Sequence, residues 1–423
     1  MKTNRLIIVG LDGVPYTMLK GFAENGIMPN TEQLIRDGRM SAMHSTVPEI
    51  SCVAWSSIIT GVNPGQHGIF GFMDLHPGSY NMRFPNYNDL KAEPFWNCCN
   101  GKSIILNVPA TYPVRQMNGV HVSGFVSIDF NKSIYPASLG SDLADMDYRL
   151  DVDAQKAHSD IGHFLADVDQ TLRARIKAIE YLWDYPDWQV FMPTFTVTDR
   201  LMHFLFDAYE EPNHRYHQVF LDCFRRIDEV IGWICSKKNE DDNIILLSDH
   251  GFCRLEKDVY INFLLAQEGF LAFRDNMEPS LVNIDKQTKA FALDPGRIFI
   301  NLKGKYPAGC IEPQDKENCL QELENLFSSL CVNGRKVIKY IYRKEDVYSG
   351  PCLDKAADLI LIAEQGFNLK GAMSARELTG TGIFTGQHTY EDAFLLLGDK
   401  KLAAGLTDEL SVIKTGQLIR SLI

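Results

Sequence analysis

The sequence predicts an α/β fold, a mostly parallel central sheet covered by helices on both faces. Three observations predict it. Apolar runs of strand length recur at "RLIIVGL" (5–11), "SIILNV" (103–108), "DWQVFMPTFT" (187–196) and "NIILLS" (243–248). These runs are nearly continuous rather than alternating, as strands buried on both faces must be. Long stretches of helical character lie between them, at 154–183 and 208–237, and strands separated by helices are the mark of parallel crossover connections.

In chain order, the run 5–11 stops at Asp12 and Gly13, which begin a loop at a strand's carboxyl end. A short helix is expected within "MPNTEQLIRDG", with Asn30 or Thr31 as its cap and Gly38 as its stop. "CVAWSSIIT" (52–60) reads as a helix ending at Gly61, with Ser51 at its N-terminal end. "GVHVSGF" (119–125) adds a strand. After the strand 187–196 comes "TVTDRLMHF", where Asp199 and His203, four residues apart, share a face if the piece is helical. After 243–248 come Asp249, His250 and Gly251.

Residues 253–384 change character. "GRIFINLKGKYPAG" (296–309) is strand then turn, "KENCLQELENLFSSL" (316–330) an amphipathic helix, and 336–348 and 357–364 are strands. The expected organisation is therefore a core of 1–252 and 385–423 with a smaller α+β unit, 253–384, inserted before its last part. In that last part "TGQHTYEDAFLLLG" puts His388 in a glycine-bracketed loop ahead of a final strand.

Composition narrows the function classes. The formal net charge of −12 and the lack of a basic run argue against duplex nucleic acid as a partner. No apolar stretch reaches the ~18 residues of a membrane span, so no membrane association is expected. The first apolar run ends at Asp12 without a cleavage-site pattern, so it reads as a strand and not a signal peptide. Ten cysteines without a CxxC pair read as reduced thiols in a cytoplasmic protein.

Open α/β sheets bind ligands beyond the carboxyl ends of their strands. Asp12, Asp199, His203, Asp249, His250 and His388 all fall at such predicted positions. Singly, each has an ordinary role: Asp12 as a helix cap, His203 as a surface histidine, Asp249 and His250 as an ion pair, His388 as loop packing. As a set, three aspartates and three histidines suit divalent ions of the zinc or manganese kind. They could hold two ions if a further ligand is shared. Ser51 is either a helix cap or a nucleophile, for which the free amides and dipole of a helix start favour phosphate and alkoxide. Ser56 and Ser57 are rivals inside the helix, where a hydroxyl more often faces its own backbone.

Asp12 after the first strand, Ser51 ahead of "AWSSIITGVNPGQHGI", the pair in "DRLMH", then "SDHG" and "GQH" follow the order of the alkaline phosphatase superfamily. The sequence most resembles its type I phosphodiesterase / nucleotide pyrophosphatase branch. "NVPATYP" (107–113), "INLKGKYPAG" (300–309) and "ADLILI" (357–362) are similar to segments of prokaryotic members. The resemblance implies an alkaline-phosphatase-like fold and two divalent ions, usually zinc, with manganese the other option. It implies that Asp199, His203 and His388 hold one ion, and that Asp12, Asp249 and His250 hold the other, with Ser51 Oγ as its reactive ligand. It further implies hydrolysis of phosphodiester or pyrophosphate bonds through a phosphorylated Ser51, on a small phosphate ester, nucleotide-derived substrates included. Two in-line steps would give net retention at phosphorus.

Several alternatives stand beside this reading. A phosphomonoesterase could use the same two-metal core. A sulfatase needs arginine four residues after the nucleophile, where this chain has Trp55. Phosphoglycerate mutases carry their insert between nucleophile and later ligands, whereas here it lies between His250 and His388. A non-catalytic binding protein with a decayed site would be expected to have lost some of the seven residues. Two departures from the branch are visible: Ser51 stands where threonine is common, and Phe72 where nucleotide pyrophosphatases place an asparagine donor to a phosphate oxygen. Asn107 or the Cys52 backbone would be the substitute donors. Leaving-group contacts are expected in 253–384 and beside it, where Phe252, Tyr260, Phe263 and Phe270 either meet the substrate or form core.

Overall fold

The computed structural model describes residues 5–402 and 409–423. The chain divides into two compact units. One holds the described residues of Met1–Val62, Asn86–Cys253 and Ile383–Ile423; the other holds Asn63–Pro85 and Arg254–Gly382. The segment 63–85, expected in the core, thus goes with the second unit. Its Tyr80 hydroxyl donates to Asn301 at 2.7 Å, and Asn63 Nδ2 to the Ser349 hydroxyl at 3.2 Å.

The first unit is built on an eight-stranded sheet. Its strands are β1 (Leu6–Leu11), β2 (Arg39–Met43), β3 (Lys102–Val108), β4 (Gly119–Ser123), β5 (Ile134–Tyr135), β6 (Trp188–Phe195), β7 (Asn243–Leu247) and β8 (Ala393–Leu397). Their spatial order is β2-β8-β7-β1-β6-β3-β4-β5. The central run β7-β1-β6-β3-β4 is parallel; β8 pairs antiparallel with β7 and with β2, and β5 pairs antiparallel with β4. Every residue of β1 is buried, which is why its sequence shows no alternation. Register decides function here. Gly10 is level with Thr194 on one side and Leu247 on the other, so Asp12, the residues after Phe195 and the Ser248–Asp249 turn leave the sheet together.

Helices α1 (Tyr16–Glu24), α2 (Pro29–Asp37), α3 (Ser51–Thr60), α4 (Ile161–Trp183), α5 (Val197–Glu210), α6 (His217–Lys237) and α7 (Val412–Ser421) accompany this sheet. All ten residues of α3 are buried. Helix α7 seats against it so closely that a Cβ on Gly416 would lie 2.4 Å from the Ile58 carbonyl oxygen. The helix that carries Ser51 is therefore fixed along its length.

Several element boundaries differ from the sequence reading. The stretch 154–183 breaks at Asp160, whose side chain accepts the His163 N–H at 2.9 Å and starts a new helix. Residues 208–210 end α5, and a connector precedes α6 at His217. The strand expected over 336–348 is Ile338–Arg343 followed by the helical turn Lys344–Val347, where Asp346 accepts the Arg343 N–H at 3.0 Å. The strand at 119–125 ends at Ser123. Helix α2 starts at Pro29, and neither Asn30 nor Thr31 caps it; the capping carboxylate is Asp228, from α6.

The second unit has its own apolar core and a four-stranded antiparallel sheet, ordered Ala290–Leu293, Arg297–Ile300, Leu359–Ala363, Ile338–Arg343. The helix Lys316–Ser329 buries Leu320, Leu323 and Phe327. Phe270 is part of that core. Among the described residues no helix is long and apolar enough to cross a membrane. The ten cysteines are free thiols.

Candidate metal centre

The turn after β1 is set by Gly13. Its φ of +73° suits glycine, and a Cβ there would lie 2.9 Å from the Phe252 ring and 3.1 Å from His250. That close approach lets the Gly13 N–H donate to Asp249 Oδ1 at 3.0 Å. Asp12 and Asp249 are thereby brought together from adjacent strand ends. The Thr198 hydroxyl donates to the Asp12 carbonyl at 2.6 Å, tying the start of α5 to the same turn.

Ser51 is the first residue of α3, and the preceding Ile50 makes no side-chain cap. Its hydroxyl is turned away from capping and into the acidic cluster. Oγ lies 3.1 Å from His250 Nε2 and 3.4 Å from Asp12 Oδ1. Ser56, by contrast, donates to the Cys52 carbonyl at 2.6 Å, as an interior helical serine does.

Asp199 and His203 share a face of α5; His388, expected in a loop, lies on the short strand Gly386–Thr389, which meets α5 where the Thr385 N–H donates to the His203 carbonyl at 2.8 Å. His388 Nε2 is 3.2 Å from Asp199 Oδ2 and 3.0 Å from His203 Nε2. His250 Nε2 is 3.3 Å from Asp249 Oδ2 and 3.7 Å from Asp12 Oδ1. The His250 and His388 rings stack with centroids 3.7 Å apart, so the two groups adjoin. All seven residues singled out in the sequence meet at one place. In each of two sets, Asp199/His203/His388 and Asp12/Asp199/His250, the candidate ligand atoms lie within 4.8 Å of one another, and Asp199 belongs to both.

The donor set fits divalent ions. Each imidazole Nδ1 faces a backbone carbonyl: His203 that of Gly386 at 3.2 Å, His250 that of Gly251 at 3.1 Å, His388 that of Glu49 at 3.0 Å. A carbonyl only accepts, so Nδ1 is the donor and Nε2 is the atom turned to the cluster, as in metal-ligating histidines. Asp249 Oδ2 is buried with no hydrogen-bond partner, a cost unless a cation meets it.

Charge follows from the same geometry. Burial, then the neighbouring Asp249, raises the Asp12 pKa well above the usual carboxylate range. Burial likewise pushes Asp249 up to about 7. Burial also works on Asp199, but His203, His388 and Arg200 outweigh it and hold that carboxyl well below the usual range. Burial drives His250 well below its ordinary value and His203 down to about 4. Burial opposes protonation of His388 as well, yet Asp199 prevails and raises it. Three buried aspartates among three imidazoles, two of them held neutral by burial, form a site that a dication would complete.

Some neighbours carried no sequence signal. Arg200 bonds Asp151, from a loop far away in sequence, at 2.8 Å through Nη2. Phe252 and Phe384 wall the His203 ring at centroid distances of 4.9 and 5.0 Å; Phe252 thus belongs to the first unit and packs on the histidines. Glu49 is two residues before Ser51, and burial raises its pKa to about 7. Asn107 is not a spare phosphate donor. Its amide N–H groups go to the carbonyls of Ser123 and Leu150 at 3.2 and 2.8 Å, and its oxygen accepts from Tyr148. Phe72 lies in the second unit.

A mostly parallel sheet with a serine at a buried helix start and a carboxylate–imidazole cluster at its carboxyl rim is the arrangement expected of a hydrolase of the alkaline phosphatase type. The family model for type I phosphodiesterase / nucleotide pyrophosphatase matches residues 6–391. The chain belongs to that family, and is a phosphoric ester hydrolase. Among solved structures it is similar to phosphonoacetate hydrolase from Sinorhizobium meliloti 1021. The complex with phosphonoformate aligns over 100% of this chain and 96% of that one, with 14% identity and a TM-score of 0.68. The complex with phosphonoacetate gives 13% identity and 0.67 over the same shares. At that identity the likeness is one of fold. Comparison with curated proteins returns no match.

Proposed function

We propose that this protein hydrolyses a phosphodiester or pyrophosphate bond in a small phosphate ester through a phosphorylated Ser51, at a centre for two divalent ions, zinc in the first place. Asp199, His203 and His388 would hold one ion, and Asp12, Asp249, His250 and Ser51 Oγ the other, with Asp199 reaching both. The observation that carries the reading is the convergence of three Nδ1-anchored imidazoles, each with Nε2 turned inward, on a buried aspartate cluster beside one hydroxyl. When bound, the ions would supply positive charge against the phosphoryl oxygens and acidify the serine hydroxyl and the attacking water.

The chain's own part is positioning. Helix α3 holds Ser51 Oγ toward the cluster, at the positive end of the helix dipole. Oγ forms the bond to phosphorus as the alcohol or phosphate leaves. Water then attacks the phosphoserine from the opposite side, and the Ser51 oxygen departs. Phe252 and Phe384 shield the histidines from solvent. A nucleotide-derived leaving group is included in the proposal. Ten free thiols suit a cytoplasmic setting.

The test compares bis(p-nitrophenyl) phosphate with p-nitrophenyl phosphate on zinc-reconstituted protein, with acid quench and mass spectrometry of the Ser51 peptide. Diester turnover with a phosphorylated Ser51 is expected. A large monoester preference replaces the diester reading with phosphomonoesterase activity on the same core, and an unmodified Ser51 during turnover removes the covalent step.

A further inference from the structure

Asp199 is the carboxylate that reaches both sets of ligand atoms, and its two oxygens are used differently. Oδ2 faces His203 Nε2 at 3.4 Å and His388 Nε2 at 3.2 Å. Oδ1 faces Nη1 of Arg200 at 3.4 Å. Arg200 is not a loose surface side chain. Its Nε and Nη2 both donate to Asp151 Oδ2, at 3.1 and 2.8 Å, and its guanidinium lies 3.9 Å from the centre of the Phe125 ring. The two charged side chains are only 12% and 17% exposed.

Asp151 is anchored in turn. The Thr196 hydroxyl donates to its Oδ1 at 3.3 Å. The carbonyl of Leu150 accepts from Asn107 at 2.8 Å and from Arg175 at 3.4 Å, while Arg175 also donates to the Thr194 carbonyl at 2.8 Å. Asn107 sits on β3, Thr194 on β6 and Arg175 on α4, so the loop that presents Asp151 is bolted to the sheet itself. The chain of contacts runs from the sheet through Asp151 and Arg200 to one oxygen of Asp199.

A guanidinium beside a metal ligand is electrostatically unfavourable for a cation, since like charges repel. Its presence, fixed on both sides, needs a benefit that outweighs the repulsion. Orientation supplies one. A carboxylate pinned at Oδ1 keeps Oδ2 toward the histidines, and partners of this kind tune metal sites. We propose that Arg200 and Asp151 form a positioning pair that aims Asp199 Oδ2 at the ion between His203 and His388 and thereby sets the affinity of that ion. The inference rests on the two-ion reading above.

Charge and orientation predict opposite signs, so substitution separates them. The experiment titrates zinc into chelator-treated protein against a competing indicator, for wild type, Arg200→Lys, Arg200→Gln and Asp151→Asn. Positioning predicts that all three variants weaken the ion between His203 and His388 by roughly 10- to 100-fold, and the other ion less. Arg200→Lys should lose least, keeping the charge without the planar fork. Asp151→Asn should weaken the site although Arg200 remains, because the released guanidinium can pair with both oxygens of Asp199 and compete with the ion. Melting curves of the metal-free variants check that each is folded, and Asp151→Asn, nearly isosteric, serves where an Arg200 variant is not. If Arg200→Gln binds zinc more tightly and Arg200→Lys binds as wild type does, Arg200 acts by charge alone and the positioning role is overturned. If wild type takes two ions and all the variants match it, the inference fails while the metal centre stands. If wild type takes none, both fall.

Discussion

His203 Nε2 and His388 Nε2 face each other at 3.0 Å, each ring having its Nδ1 against a backbone carbonyl. Two imidazole nitrogens held this close beside the Asp199 carboxylate need a positive charge between them, a proton on His388 or a metal ion. An ion that binds the folded chain there should add to its stability. Zinc at a hundred times its dissociation constant should stabilise the first unit by about 2.7 kcal/mol per site. Chelation should therefore lower the melting temperature, and zinc or manganese should restore it. Identical melting curves with and without chelator would remove the metal centre.

The shared position of Asp199 makes a sharper claim. Because Asp199 belongs to both sets of ligand atoms and His388 to one, Asp199→Ala should disturb both ions, whereas His388→Ala should lose one. Metal analysis after dialysis is expected to give about two ions for wild type, about one for His388→Ala and fewer than one for Asp199→Ala. Equal losses in the two variants would show that Asp199 serves a single ion.

Ser51→Ala should separate chemistry from metal binding. The hydroxyl contacts the cluster at 3.1 Å from His250 and 3.4 Å from Asp12, but it is one donor among several. The variant should retain bound metal while kcat falls by roughly a thousandfold or more. Full activity in Ser51→Ala would displace the nucleophile assignment and turn attention to Ser57, since Ser56 is committed to its own helix.

Helix α2 offers a stability test away from the centre. Asp228 is 1% exposed, and its carboxylate accepts the Asn30 N–H, the Asn30 amide, the Thr31 N–H and the Thr31 hydroxyl at 2.7–2.9 Å. Removing it strands buried donors at a helix start. Asp228→Ala should cost roughly 2–4 kcal/mol and Asp228→Asn less. Urea denaturation of the two variants checks the order; an Ala variant as stable as wild type would mean that water replaces the cap.

What was legible in the sequence follows the range of the interactions. Strands β1, β3, β6 and β7 showed as apolar runs because a parallel strand buried on both faces admits little else. Asp12, Asp249 and His250 stood out because each follows such a run directly, and Asp199 with His203 because helical spacing joins them. Partners set by distant chain were not legible. Asp151 is 49 residues from Arg200, Asp228 is 197 from Thr31, and Tyr80 is 221 from Asn301. No local pattern announces such pairs, so the positioning pair, the cap of α2 and the placement of 63–85 emerge only in three dimensions. Arg200 itself stands beside a ligand in "DRLMH", yet its direction depends on Asp151.

Acid sensitivity should come in part from two histidines outside the cluster. His121, in the first unit, is 1% exposed, and burial pushes its pKa down to about 3. His67, in the second, is fully buried and also lowered to about 3 by burial, and its Nδ1 accepts the Ile69 N–H at 3.2 Å. Protonation would destroy that acceptor. In the unfolded chain each titrates near 6.5. Between about pH 6.5 and 3 the unfolded state therefore binds a proton that the folded state refuses, so stability rises with pH across that window and is flat above it. Each histidine contributes up to about 1.4 kcal/mol per pH unit below 6.5. In chelator-treated protein the raised Asp249 and Glu49 carboxyls work in the opposite sense over the same range, so the histidine contribution is read as the difference between wild type and variant at pH 7 and 5.5. His121→Gln should remove that contribution for the first unit and His67→Gln for the second, as read by urea denaturation at the two pH values. An unchanged slope in both variants would place the acid sensitivity elsewhere.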